Sequence, residues 1–333
     1  MRAGHNQYAP MAGVKTLRDR ISTKVAAITG VSYHPETDIT ITAGATQALF
    51  TAMAALIRPG DEVILFEPAY DAYAPSVRVF GGIPKPVTLL APDFAVDWAA
   101  VEQLITSKTR LIVINTPNNP TGRVLSDADY QQLISIIRHT DCYLLSDEVY
   151  EHIVYDGIPH RSAVHYAELR ERAFVVASFG KLYHTTGWKV GYCLAPPELT
   201  AEFRKVHQFN VFSVNTPVQY ALADFLTDQD EYLSLGAFFQ RKRDFMLGAL
   251  AGTGFNVLPC QGTYFLLADY SAISELPEQA FCEQVTRQYG VATIPVSAFY
   301  SRPTDQYLVR ICFAKREETL ERAVERLIHV PSH

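Results

Sequence analysis

The sequence predicts an α/β protein built on a largely parallel sheet, and three observations carry that expectation. Short apolar runs rich in β-branched residues alternate with helix-patterned segments along the first two thirds of the chain. Most of these runs are continuously apolar, as strands buried on both faces should be. Turn-forming residues separate them, at Gly60-Asp61, Gly81-Gly82 and across 117–122. Strands and helices in alternation give a parallel sheet covered by helices.

Strands are expected at 39–42, 62–66, 85–89, 111–115, 142–146, 174–178 and 190–195. Helical segments lie between them, including 46–56, 99–105, 126–138 and 200–208. Ser126 opens its helix as an N-cap with an acidic first turn behind it. A long helical stretch, 217–250, follows. Strands at 262–269, 291–294 and 307–314 then combine with helices at 277–289 and 317–327 into a smaller α+β unit. The division predicted is 1–235 for a large domain and 236–333 for a small C-terminal one.

Composition bounds the function. The chain has 333 residues, 48% hydrophobic and 19% charged, enough for a large core in two domains. A net charge of -6 argues against a nucleic-acid footprint. The five cysteines are scattered without a C-x-x-C pair and read as buried free thiols. The histidines show no metal-ligand spacing, so no metal is expected, and His160 and His165 read as surface residues. No apolar run reaches membrane-span length and no signal peptide is apparent, so a cytoplasmic enzyme without a membrane partner is expected.

The residues that carry chemistry follow the predicted strands, at the carboxyl edge where open α/β sheets bind ligands. Lys181 comes after 174–178 and a small-residue turn, which places an amine there. Such an amine can form a Schiff base with an aldehyde cofactor such as pyridoxal phosphate. Asp147 ends 142–146, where a buried carboxylate can pair with a protonated pyridine nitrogen; capping the next helix is its alternative role. Tyr150 can donate to the ring's phenolate oxygen. Asn119, in a Pro- and Asn-rich turn, can hold that oxygen and a substrate carboxylate.

Thr42-Ala-Gly-Ala45-Thr46 joins a strand to a helix start. The amides of Ala45 and Thr46 and the Thr46 hydroxyl can bind the cofactor phosphate, though an ordinary strand–helix turn looks the same. Ser178 and Lys189 flank Lys181 and can reach phosphate oxygens. Tyr70 can stack on the pyridine ring or fill the core. Arg310 stands inside an apolar run, where either a substrate carboxylate or a structural ion pair would explain it.

Taken together these segments resemble the class I aminotransferases of pyridoxal phosphate fold type I, over essentially the whole chain. Within them the chain is most similar to the kynurenine aminotransferase/glutamine transaminase K branch and to bacterial methionine aminotransferases. The motifs are Asn6-Gln-Tyr8-Ala-Pro-Met-Ala-Gly13, Ser146-Asp-Glu-Val-Tyr-Glu-His152, Thr186-Gly-Trp-Lys-Val-Gly-Tyr-Cys193 and Arg310-Ile-Cys-Phe-Ala-Lys315. The resemblance implies a mostly parallel seven-stranded sheet and a homodimer with shared active sites. It makes Lys181 the Schiff-base lysine and proton shuttle, Asp147 the pyridinium partner and Arg310 the carboxylate clamp. It gives Tyr8 to the phosphate of the neighbouring subunit's cofactor.

The implied reaction moves the α-amino group of an amino acid to a 2-oxo acid with ping-pong kinetics. Dicarboxylate-specific relatives use an extra arginine from the partner subunit. Here 207–240 holds no arginine or lysine and supplies Phe209, Phe212 and Tyr220 instead, which suits methionine or aromatic amino acids, or glutamine or kynurenine. A cysteine-conjugate β-lyase on the same scaffold is the alternative. Relatives also carry an N-terminal arm, with Gly-Phe-Pro-Asp-Phe, ahead of the Asn6 segment. The sequence opens without it, which leaves a catalytically impaired relative as a further alternative.

Overall fold

The computed structural model describes residues 2–330. Seven strands form its main sheet: β1 (Ile39–Thr42), β2 (Glu62–Glu67), β3 (Ile83–Thr88), β4 (Thr109–Asn115), β5 (Tyr143–Asp147), β6 (Ala173–Ser178) and β7 (Gly191–Leu194). Their order is β1-β7-β6-β5-β4-β2-β3. Strand β7 runs antiparallel to both its neighbours, and the other four pairings are parallel. Each of these seven strands expected from the sequence occurs, with ends moved by a residue or two; in the second sheet the strands expected from 262 and 291 begin three residues later, at Phe265 and Ile294.

Continuous apolar runs suit these strands because both faces of the sheet are covered. In β4, Ile112 and Ile114 join one buried cluster while Leu111 and Val113 join another across the sheet. Strand β6 divides the same way, Val175 and Ala177 against Phe174 and Val176. The helix Asp127–Arg138 begins with a full capping box, in which the Ser126 hydroxyl and Asp129 satisfy each other's backbone amides.

Three differences from the expectation stand out. Helix α1 (Lys15–Thr29) was not foreseen, although Leu17, Ile21 and Val25 mark a buried stripe at four-residue spacing. The stretch 217–250 is three helices, Thr216–Phe225, Asp230–Leu233 and Leu235–Leu250. The break falls at Thr227-Asp-Gln, where the Asp228 carboxylate accepts from the Asp230 amide at 3.2 Å in place of a helical bond. His160 is not a surface residue: its Nε2 lies 3.0 Å from the buried Glu148 carboxylate, and its side chain is only 13% exposed.

Helix α2 (Ala45–Leu56) follows β1, and helix α3 (Tyr73–Val79) follows β2. A second sheet has four antiparallel strands, β8 (Asn256–Val257), β9 (Phe265–Asp269), β10 (Ile294–Pro295) and β11 (Leu308–Cys312), ordered β10-β11-β9-β8. Its buried cluster takes in Tyr150, Ile153 and Tyr155, which follow β5. That packing sets the second sheet against the carboxyl edge of the first and brings Tyr264 and Arg310 to it.

Among the described residues, no helix is long and apolar enough to cross a membrane. The five cysteines are free, four of them buried and Cys312 half-buried.

Candidate active site

At the carboxyl edge of the main sheet lies a cavity of about 190 Å³. Nine of the eleven residues singled out in the sequence line it: Ala45, Thr46, Tyr70, Asn119, Asp147, Tyr150, Ser178, Lys181 and Lys189. They come from six separate segments: eight of the nine follow or end parallel strands, and Lys189 precedes β7, which runs antiparallel and so begins at the same edge.

The floor of the cavity is an anion cradle. Gly44 caps α2 with φ 79° and ψ 169°, a conformation open in practice only to glycine. The first amides of the helix, at Ala45 and Thr46, then point outward without intrahelical acceptors. The Lys189 ammonium sits beside them, 3.7 Å from where a Cβ on Gly44 would lie. Strand β7 presses close behind: a Cβ on Gly191 would stand 2.6 Å from the Ala177 carbonyl and 3.0 Å from the Ala45 amide. A cation beside the positive end of a helix is an unfavourable pairing unless an anion sits between them. Lys189 takes part in no ion pair among the described residues.

Asp147, at the end of β5, is 4% exposed. The Tyr73 hydroxyl donates to its Oδ2 at 2.6 Å and the Val149 amide to Oδ1 at 3.3 Å. Burial outweighs both donors and pushes the carboxyl up to about 6. It does not cap a helix; turns follow β5. A buried carboxylate held by neutral donors alone is short of a cation, as the partner of a protonated ring nitrogen should be. Asn115 supports the same corner. Its Nδ2 donates to the Asp147 carbonyl at 2.9 Å, and its Oδ1 accepts from the Asn119 amide at 2.8 Å.

The Lys181 amine donates to the Tyr264 hydroxyl at 2.8 Å and takes part in no ion pair among the described residues. Tyr150 is buried, its ring edge-on to Tyr264 with centroids 5.2 Å apart. Burial and the Tyr264 hydroxyl raise its phenol well above the ordinary value. The Tyr70 hydroxyl lies 3.3 Å from Thr46 Oγ1 at the cradle, and its ring stands edge-on to that of Tyr73, the donor to Asp147, with centroids 5.7 Å apart.

Arg310 does not itself line the cavity but adjoins it through Asn119. Its Nη1 donates to Asn119 Oδ1 at 2.7 Å, and its guanidinium lies over the rings of Phe265 and Phe299, at 4.1 and 4.8 Å. Desolvation lowers its pKa, and no carboxylate pairs with it among the described residues. The structural ion pair that the sequence left open for Arg310 is therefore absent there.

Tyr8 does not join this group. It is 82% exposed and packs edge-on against Phe212 at 5.4 Å. Phe209, Phe212 and Tyr220 likewise do not line the cavity; Tyr220 stacks on His5 at 3.8 Å. Three contributors went unassigned in the sequence: Tyr73, Asn115 and Tyr264. Asn115 ends the expected strand 111–115 and Tyr73 lies three residues beyond Tyr70, and only their partners in space give them roles. Tyr264 lies 83 residues beyond Lys181 and has no local signal.

An unpaired lysine at a helix N-terminus, a second free amine, a buried carboxylate lacking a cation and an unpaired arginine describe an enzyme that uses pyridoxal phosphate on a carboxylate-bearing substrate. The chain belongs to the aminotransferase class I and II family, whose model matches residues 2–327. It is 50% identical over 325 residues to methionine aminotransferase of Escherichia coli K12, covering 97% of this chain and 84% of that one. It is 34% identical to kynurenine–oxoglutarate transaminase 1 of Rattus norvegicus, with 97% and 84% covered. The solved E. coli methionine aminotransferase superposes with a TM-score of 0.97, covering 98% of this chain and 87% of that one. N-succinyldiaminopimelate aminotransferase of Mycobacterium tuberculosis superposes at 0.96, with 36% identity and 99% and 87% covered. The protein is an aminotransferase, and its cofactor is pyridoxal 5′-phosphate.

Proposed function

We propose that the chain takes its amino group from methionine and from aromatic amino acids and passes it to a 2-oxo acid. The observation that carries this reading is Arg310, an unpaired guanidinium framed by Phe265 and Phe299 and tied to Asn119. One carboxylate is recognised there, while no further cation lines the cavity beyond Lys181 and Lys189. With Lys189 assigned to the phosphate and Lys181 to the cofactor, Arg310 is the one cation left for the substrate, and the rings of Phe265 and Phe299 around it favour a monocarboxylate with an uncharged side chain. The 50% identity to a methionine aminotransferase points the same way.

Each side chain has a place in this reading. Ala45, Thr46, Ser178 and Lys189 hold the phosphate, Tyr70 covers the ring, and Asn119 and Tyr150 hold its oxygen. Asp147 keeps the ring nitrogen protonated, and the bound ring then supplies an electron sink for the pair left when the α-proton departs. Lys181 moves that proton at its Nζ. Arg310 and Asn119 fix the substrate carboxylate and so turn the α-carbon toward Lys181. The working form in this reading is a cytoplasmic homodimer, with Tyr8 reaching the partner's phosphate cradle, which accounts for an exposed tyrosine remote from its own cavity.

The test is the visible absorption spectrum of the protein loaded with pyridoxal phosphate, before and after L-methionine. The cofactor band should bleach with methionine and phenylalanine and persist with aspartate. Bleaching by aspartate alone would sink the assignment of substrate.

Arg310→Ala should raise KM for every amino donor by about 30- to 150-fold, the 2–3 kcal/mol of a charge-assisted hydrogen bond, with kcat much less affected. Arg310→Lys should recover only part of this, since an ammonium lacks the two-pronged donor geometry. Steady-state kinetics with methionine and phenylalanine check both, and unchanged KM values would remove Arg310 from the site.

A further inference from the structure

The Lys181 amine rests on one hydroxyl. Its Nζ donates to Tyr264 at 2.8 Å and takes part in no ion pair among the described residues. The Tyr264 ring is locked by three aromatic neighbours: Phe265 at 4.8 Å, Tyr150 at 5.2 Å and Phe239 at 5.7 Å between centroids. Its hydroxyl also neighbours that of Tyr150, which it helps to push upward in pKa. A flexible lysine would otherwise sample many rotamers at an entropic cost. Here it meets a rigid acceptor supplied by the second sheet, while its own backbone belongs to the first.

We propose that Tyr264 is a positioning residue for transamination, the point on which the free Lys181 amine is docked whenever it is not bound to the cofactor. This rests on the assignment of Lys181 as the reactive amine. The hydroxyl accepts one N–H from Nζ and so fixes where the amine waits, at the end of the cavity facing Asp147 and Tyr150. The contact holds Nζ beyond the hydroxyl edge of the Tyr264 ring, 5.5 Å from its centroid, and 5.7 Å from the centroid of Tyr150. A proton moved by Lys181 therefore starts from one geometry rather than from an ensemble. Because Tyr264 reaches across from the second sheet, the docking also couples the amine's position to the packing of the two sheets.

The test uses Tyr264→Phe, which keeps the ring and removes only the hydroxyl. In the cofactor-free protein, trace acetylation with peptide mass spectrometry should show Lys181 reacting about fivefold faster relative to exposed Lys15, the factor one hydrogen bond contributes. Lys189, in the same cavity, should react as before. In the loaded enzyme, kcat should fall with KM for methionine unchanged, and the α-deuterium isotope effect on kcat should rise as proton transfer becomes limiting. An unchanged Lys181-to-Lys15 ratio would overturn the proposal, and so would a parallel rise at Lys189, which would mean a loosened cavity. Turnover surviving in Lys181→Ala would instead overturn the assignment of the amine, an outcome independent of the labelling result.

Discussion

Replacing Lys181 by alanine should lower turnover with methionine by about 10²–10⁴-fold, the span that a positioned proton-transfer group supplies. The Lys181 amine lies 5.7 Å from the Tyr150 centroid in the cavity that Asp147 also lines, whereas Lys189 sits beside Gly44 at the helix N-terminus. No neighbour can substitute for it. The loss should be the same for every amino donor, because the missing group acts on the α-carbon and not on the side chain. Retention of cofactor by the variant is expected, since Asp147, Ser178, Lys189 and the amides of α2 remain. Equilibrium dialysis against pyridoxal phosphate would verify that retention, and single-turnover kinetics with methionine would measure the loss. Turnover within tenfold of the parent would remove Lys181 from the reaction.

That the site was largely legible in the sequence follows from how a parallel sheet works. Each parallel strand ends at the same edge, so a strand pattern followed by Asp147, Asn119 or Lys181 already places that residue. Distance along the chain hardly matters there, because β4, β5 and β6 lie side by side in register. The second sheet offers no such rule. Its antiparallel strands could meet the first sheet in several ways, and only the packing of Tyr150, Ile153 and Tyr155 into its core fixes the approach. For that reason Arg310 kept two explanations until its surroundings were seen, and Tyr264 had none. Tyr73 shows another limit: a tyrosine three residues from Tyr70 on a helix start carries no mark that its hydroxyl ends on Asp147. The aromatic residues in 207–240 and Tyr8 reflect a third. Surface position in one chain says where they are not, while their expected targets lie on a second copy.

Asp147→Asn should have opposite effects on stability and on catalysis. In the cofactor-free protein the folded carboxyl sits at about 6, above its ordinary value of 3.8. The folded chain therefore binds this proton more tightly than the unfolded chain does. Stability falls as pH rises through that window, and above pH 6 the ionised carboxylate is a net cost of about 3 kcal/mol at most, from roughly two pH units at 1.36 kcal/mol each. Asparagine has the same shape, can still accept from the Tyr73 hydroxyl, and carries no charge. The cofactor-free variant should thus melt several degrees higher than the parent at pH 8, with the gap closing toward pH 4. Thermal unfolding at both values checks this, and a variant less stable at pH 8 would mean that the carboxylate is not strained there. With cofactor present the order should reverse, because the parent's buried charge then has a cationic ring nitrogen to pair with and the amide does not. Turnover should drop by about 10²–10³-fold, the usual loss when one group aimed at developing charge is removed from a dry site. A residue whose charge destabilises the empty fold is retained only where that charge has work to do once the site is filled. The same logic extends to Lys189 at the helix N-terminus and to Arg310 without a carboxylate. Each is an interaction left open in the polypeptide, and the three openings together outline a phosphate, a ring nitrogen and a substrate carboxylate.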